Sequence, residues 1–183
     1  MKILKTALPG VLVVDSEPFV DQRGAFTRLY CERELSEVIG TRRIVQVNLS
    51  RTFKAGVVRG MHYQNPPHLE MKLLRCLKGR VLDIALDLRS GSPTFLQWHA
   101  EELCQDRGNM LVIPEGCAHG FQTLEADSEL LYLHTEFYTP TSEGGILFDD
   151  PLMGIRWPLP VSELSERDRG HPPLTADFSG ILL

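Results

Sequence analysis

The chain has 183 residues, with 19 Lys and Arg against 24 Asp and Glu, a net charge of −5, 43% hydrophobic and 23% charged residues. That length suits one domain, 1–183, able to bury roughly two thirds of its unfolded surface, and the dispersed, net-negative charge excludes a nucleic-acid surface, which needs concentrated Lys and Arg. No run reaches the roughly 18 apolar residues of a membrane span, no apolar N-terminal stretch suits a signal peptide, and Cys31, Cys76, Cys104 and Cys117 form no C-x2-C pair, which together predict a cytoplasmic protein with free thiols.

Along the chain, residues 31–39 are amphipathic and stop at Gly40, which predicts a helix. Residues 81–89, V-L-D-I-A-L-D-L-R, alternate cleanly. Leu82, Ile84, Leu86 and Leu88 share one face of a strand, and Asp83, Ala85, Asp87 and Arg89 share the other. Residues 110–113 form a short apolar strand that Pro114 and Gly116 turn, and His119 opens the next strand, so its imidazole is pinned to a sheet wall. Residues 130–135 alternate again, with Leu130, Tyr132 and His134 opposite Leu131 and Leu133. Strands with polar groups on one face and leucines on the other suit a barrel with a wet interior, packed against a second layer or a second subunit. Residues 162–169 predict a short helical turn near the C-terminus. Evenly spaced strands with one convincing helix, and no repeat or linker, predict an all-β double-sheet jelly roll.

Most reactive side chains fall in three places: residues 59–64 with His68 and Lys72 after them, residues 108–119, and the strand carrying Tyr132 and His134. Each has an ordinary structural reading. A single His in a strand is more often a hydrogen-bonded core or rim group than a catalyst, and Tyr132 alone reads as a packing residue. Asp168 fits the last position of a capping box, S-x-x-D, begun by Ser165. The spacing G-x5-P-x-G-x2-H over 108–119 resembles the second signature of the cupin superfamily, small β-barrels in which such a His often binds a metal. The first signature needs a His-x-His pair, which here reads His62-Tyr63-Gln64. The resemblance thus implies a cupin-like β-barrel without its metal, whereas a metal-dependent cupin would draw its ligands from His62, His119, Glu70 and His68.

A more specific resemblance rests on D-Q-R-G-A-F at 21–26, Q-V-N-L-S at 46–50, V-R-G-M-H-Y-Q at 58–64, S-P-T-F at 92–95, I-P-E-G-C-A-H-G-F at 113–121 and D-D-P at 149–151, followed by Gly154-Ile155 and Trp157-Pro158. In this order, the motifs resemble the dTDP-4-dehydrorhamnose 3,5-epimerase family, whose members act on nucleotide-linked 4-keto-6-deoxy sugars. The resemblance implies His62 as the base that removes a proton α to the ketone, Asp168 as its carboxylate partner, Lys72 facing the C4 oxygen, and Tyr132 as the acid on the opposite face of the sugar. It also implies Arg23 and Arg59 as diphosphate and sugar ligands, Gln46 and Asn48 lining the site, Phe19, Phe26 and Tyr138 enclosing the base, and His119 with Asp83 supporting the polar interior. No metal or other cofactor is implied. A homodimer with exchanged strands is, and it would carry Phe19, Arg23 and Phe26 to the partner's site.

Three positions depart from the family pattern: Arg28 stands where an acidic residue is usual, Leu49 where the family has His, and Glu70 where a Q-x-K arrangement has Gln. They bear on the nucleotide accepted and on the carbons inverted more than on the chemistry. A single-carbon epimerase, or a relative acting on a CDP- or GDP-linked sugar, is the alternative on the same scaffold.

Overall fold

The computed structural model describes residues 1–183. In chain order the strands are β1 (Lys2–Lys5), β2 (Leu12–Asp15), β3 (Phe19–Asp21), β4 (Gly24–Phe26), β5 (Gln46–Thr52), β6 (Val58–Gln64), β7 (Lys72–Lys78), β8 (Arg80–Asp87), β9 (Trp98–Cys104), β10 (Met110–Ile113), β11 (Cys117–Thr123), β12 (Ser128–His134) and β13 (Glu143–Gly145). Two single-turn helices, α1 (Ser36–Ile39) and α2 (Glu166–Arg169), complete the elements. One sheet runs β1-β2-β10-β7-β12-β5 and the other β13-β6-β11-β8-β9, while β3 and β4 pair only with each other. Every strand pairing is antiparallel. Two antiparallel sheets face to face make the expected jelly roll, which hides most edges by curling the sheets over one another.

The alternation read in the sequence sets what each face touches. On β8, Val81 and Ala85 join the core between the sheets, with Leu74, Leu103, Leu111, Phe121 and Leu130, whereas Ile84 and Leu86, and Leu88 just beyond, pack outward with Ile146, Met153 and Ile181. The second layer over those leucines is therefore the chain's own C-terminal segment, pinned by Trp98 Nε1 donating to Met153 O at 3.0 Å and Trp157 Nε1 donating to Phe148 O at 2.9 Å. β8 ends at Asp87, two residues short of the alternating stretch, and Arg89 instead bridges to Ile181. The Asp87 carboxylate is responsible: it accepts from Arg89 N at 3.0 Å and from Ser92 Oγ and Thr94 Oγ1 at 2.6 Å each, which turns the chain.

The helix expected over 31–39 is a correction. Only its last turn, Ser36–Ile39, is helical, preceded by turns. Leu35 and Ile39 are buried one turn apart while Glu32, Arg33, Ser36 and Glu37 are exposed, so the apolar stripe is too short to stabilise more than one turn. Glu34, in the turn before it, pairs with the Met1 ammonium and Arg28. α2 falls inside the expected 162–169, and β11 begins at Cys117, two residues before His119.

A glycine contact brings the reactive strands together. Gly60 on β6 has φ +126°, and a Cβ there would lie 2.6 Å from Gly120 Cα on β11. Only glycine at this crossing lets the two strands approach so closely. Next to it, His62 and His119 are paired across the ladder. The four cysteines are free, and burial raises the Cys76 and Cys117 thiols to about 11 and about 12, which keeps them unreactive.

Candidate active site

Between the sheets lies a cleft of about 890 Å³. Phe121 and Tyr132 belong to both the cleft wall and the apolar core, so they mark where dry packing gives way to the site. The wall from one sheet carries His62 and His119, and the wall from the other carries Gln46, Asn48, Lys72, Tyr132 and His134. The second set shares a face because β12 sits between β5 and β7 in register: Tyr132 pairs with Asn48 and Leu74, His134 with Gln46 and Lys72. Arg59, Tyr138, Arg167 and Asp168 complete the rim and floor.

His62 Nε2 lies 2.7 Å from Asp168 Oδ1, and the other carboxylate oxygen accepts from Gly60 N at 3.3 Å. Asp168 reaches this place because Ser165 caps α2 through its hydroxyl, which accepts from Asp168 N at 3.0 Å. The cap is real but uses the backbone of Asp168, which leaves its carboxylate for His62. Burial alone would raise the Asp168 carboxyl, yet the His62 imidazole and the Gly60 amide bring it down to about 2. The stabilisation it gives is therefore complete above the ordinary carboxylate value of about 3.9 and is lost as pH falls toward 2. The pair fixes the tautomer of His62: Nε2 donates to the carboxylate, and Nδ1, without a protein partner, is free to take a proton. Arg167 Nη2 also lies 3.1 Å from His62 Nε2. A guanidinium offers no lone pair, so this is a close approach beside the short carboxylate bond, held by Arg167 pairing with both Glu143 oxygens at 3.1 Å.

On the facing sheet, Tyr132 stacks edge-on to His119 with ring centroids 5.7 Å apart. Burial, reinforced by the Asp83 charge, pushes the Tyr132 phenol well above its ordinary value. A phenol so placed holds its proton. His119 Nε2 lies 3.0 and 3.1 Å from the two Asp83 oxygens, both residues being almost wholly buried. Burial raises the Asp83 carboxyl and lowers the His119 imidazole, which fits a supporting pair under the site. Lys72 Nζ lies 2.7 Å from Glu70 Oε1.

Arg23, Phe19, Phe26 and Arg28 are not brought into this cleft. They lie on or beside the β3–β4 hairpin, where Phe19 and Phe26 are 68% and 75% exposed. Arg23 pairs with its neighbour Asp21 and Arg28 with Glu34. The alternative metal set does not converge either: His119 is engaged by Asp83, Glu70 by Lys72 and His134, and His68 stays outside the cleft wall. The His and carboxylate trio that does reach ligand spacing is His62, Asp168 and His171, and the Arg167 guanidinium beside it sets a positive charge where a cation would have to sit. Arg167 and the Glu70–His134 contact were missed in the sequence. Arg167 adjoins Asp168, and His134 shares the face of Tyr132, and these are the signals that could have found them.

The His62–Asp168 pair on one wall and Lys72 with Tyr132 on the other thus face one space, an arrangement suited to removing a proton beside a carbonyl and returning one from the other side. The family model described as dTDP-4-dehydrorhamnose 3,5-epimerase matches residues 5–176. The chain is 43% identical over 176 residues to the dTDP-4-dehydrorhamnose 3,5-epimerase of Salmonella typhimurium, covering 95% of this chain and 96% of the relative. Its fold is similar to a Legionella pneumophila dTDP-6-deoxy-D-glucose-3,5-epimerase solved in complex with dTDP-4-keto-L-rhamnose, with TM-score 0.88, 38% identity and coverage of 93% and 90% of the two chains. A 3'-monoepimerase from Streptomyces bikiniensis, solved in complex with dTDP-quinovose, is similar at TM-score 0.85 and 29% identity, covering 93% of this chain and 86% of that one. With the match spanning nearly the whole chain and the motifs gathered on one cleft, this protein belongs to the dTDP-4-dehydrorhamnose 3,5-epimerase family.

Proposed function

We infer that the protein epimerises dTDP-4-dehydro-6-deoxy-D-glucose at C3 and C5, giving dTDP-4-dehydro-L-rhamnose, with every proton transfer carried by side chains. The observation that carries this reading is the His62–Asp168 pair on one wall of the cleft facing Tyr132 and Lys72 on the other. A proton α to a ketone is too weakly acidic for an unassisted imidazole. His62 Nδ1 takes it, Asp168 stabilises the resulting imidazolium, and the Lys72 ammonium lowers the energy of the C4 enolate. Tyr132 then protonates the carbon from the far side, which inverts it. Arg59, supported by Thr52 Oγ1 at 3.2 Å, and the exposed cations Arg51 and Lys54 on the same rim suit a diphosphate. Gln46, Asn48 and Tyr138 line the remainder.

The hairpin residues enter the scheme through a partner subunit. An exposed apolar hairpin, and an open β5 edge with Val47 and Leu49 58% and 45% exposed, fit a cytoplasmic homodimer in which Phe19, Arg23, Phe26 and Arg28 reach the partner's nucleotide. Sedimentation at twice the 20.6 kDa chain mass supports this, and a monomer at working concentration removes it.

Incubation with the dTDP-linked 4-keto sugar in deuterium oxide, read by NMR, tests the activity. Label at both C3 and C5 with formation of the L-rhamno product is expected. Label at one carbon gives the single-carbon reading, and preference for the CDP- or GDP-linked sugar reassigns the nucleotide. Asp168→Asn separates the two uses of that residue. The α2 cap needs only its backbone, so the chain stays folded and the melting temperature drops only by what the His62 and Gly60 contacts contribute, while turnover falls by about 10²-fold or more because His62 loses its charged partner. Retained turnover would leave Asp168 a packing residue.

A further inference from the structure

Opposite the His62–Asp168 pair, the cleft contains a second imidazole and carboxylate in contact. His134 Nδ1 lies 2.7 Å from Glu70 Oε2, and the other oxygen of the same carboxylate holds Lys72 Nζ at 2.7 Å. All three side chains are close to fully buried, yet all three line the cleft. With Nδ1–H donated to Glu70, His134 Nε2 carries the lone pair and accepts from Asn48 Nδ2 at 3.3 Å, a long bond that is readily exchanged for a proton from water. The His134 ring lies parallel to that of Tyr132, at 3° with centroids 5.8 Å apart. An ion pair between Glu70 and Lys72 alone would need no histidine, and the scheme built on His62 gives this one nothing to do.

We propose that Glu70 and His134 form a second proton-handling pair, which returns a proton from solvent to Tyr132 after each inversion. This rests on the epimerase reading above. When Tyr132 protonates the enolate carbon, its O–H bond breaks, a C–H bond forms and a phenolate is left in a dry wall. His134 Nε2 takes a proton from water and becomes an imidazolium held against the Glu70 carboxylate. Its N–H bond then breaks as the O–H bond of Tyr132 re-forms through an intervening water, and the imidazole is neutral again. One proton enters on this side for each that leaves His62 on the other, and nothing is oxidised or reduced. Lys72 takes no part in this transfer. Burial by itself would raise the Glu70 carboxyl, but Lys72 and His134 hold it at about 2, so the carboxylate is present at every working pH. His134 acts through Tyr132 as a relay, and Glu70 is a positioning residue for it.

His134→Phe keeps an aromatic face against Tyr132 but carries no proton. In this variant, net inversion falls by about 10²-fold with KM within about threefold of wild type, while deuterium wash-in through His62 stays within about threefold. The double variant Tyr132→Phe/His134→Phe is no slower than Tyr132→Phe alone, because both act in one half of the reaction. Glu70→Gln, which keeps the hydrogen bond and loses the charge, shows the same split between wash-in and inversion with a smaller loss, and it decides the matter should the phenylalanine variant not fold. Wild-type turnover in both variants, equal loss of wash-in and inversion, or multiplicative losses in the double variant would overturn the relay. Wild-type enzyme that places no label at C3 or C5 would instead sink the epimerase reading itself.

Discussion

His62→Ala eliminates deuterium uptake at every exchangeable carbon of the sugar and lowers turnover by about 10²–10⁴-fold, the usual cost of losing a general base. Substrate affinity stays near wild type, because the proposed diphosphate and nucleotide contacts, Arg59 and the hairpin of a partner subunit, do not involve the imidazole. The effect is large because no neighbouring group on the same wall can substitute. His119, its cross-strand neighbour, is engaged by buried Asp83, and burial lowers its basicity. His171 lies edge-on at 5.8 Å from His62, also with its basicity lowered by burial. Exchange at the wild-type rate in His62→Ala would remove this residue from the mechanism.

Tyr132→Phe is expected to separate proton removal from proton return. The variant still washes deuterium into the sugar through His62, since enolate formation needs only the base and Lys72, while net inversion falls by about 10²-fold or more. The asymmetry follows from the two walls. His62 projects from β6 and Tyr132 from β12 in the facing sheet, so deleting the phenol leaves His62 to return the proton to the face it came from. Equal loss of exchange and inversion would move the phenol into enolate formation, and unchanged inversion would assign the second face to another donor. NMR of the recovered sugar in deuterium oxide reads both rates in one experiment.

The sequence by itself determined the features that depend on near neighbours. Period-two alternation marked β8 and β12 and assigned their faces correctly, because pleating is a local property of the chain. The Pro114 and Gly116 turn bounded β10, and the motif order singled out His62, Lys72, Tyr132 and Asp168, all four of which line one cleft. Tertiary structure decided the rest. Amphipathicity suggested a helix over 31–39, but packing gave it a single turn, since only Leu35, Ile39 and their immediate neighbours found a core to enter. The hairpin with Phe19 and Phe26 carried recognisable motif residues yet stands away from the chain's own cleft, because strand pairing and not side-chain identity sets where a hairpin points. The contacts that make the site chemical are the least local of all. Asp168 meets His62 across 106 residues and Glu70 meets His134 across 64, and such pairs depend on register between strands and the course of a C-terminal segment over a sheet, neither of which leaves a periodic trace in the sequence.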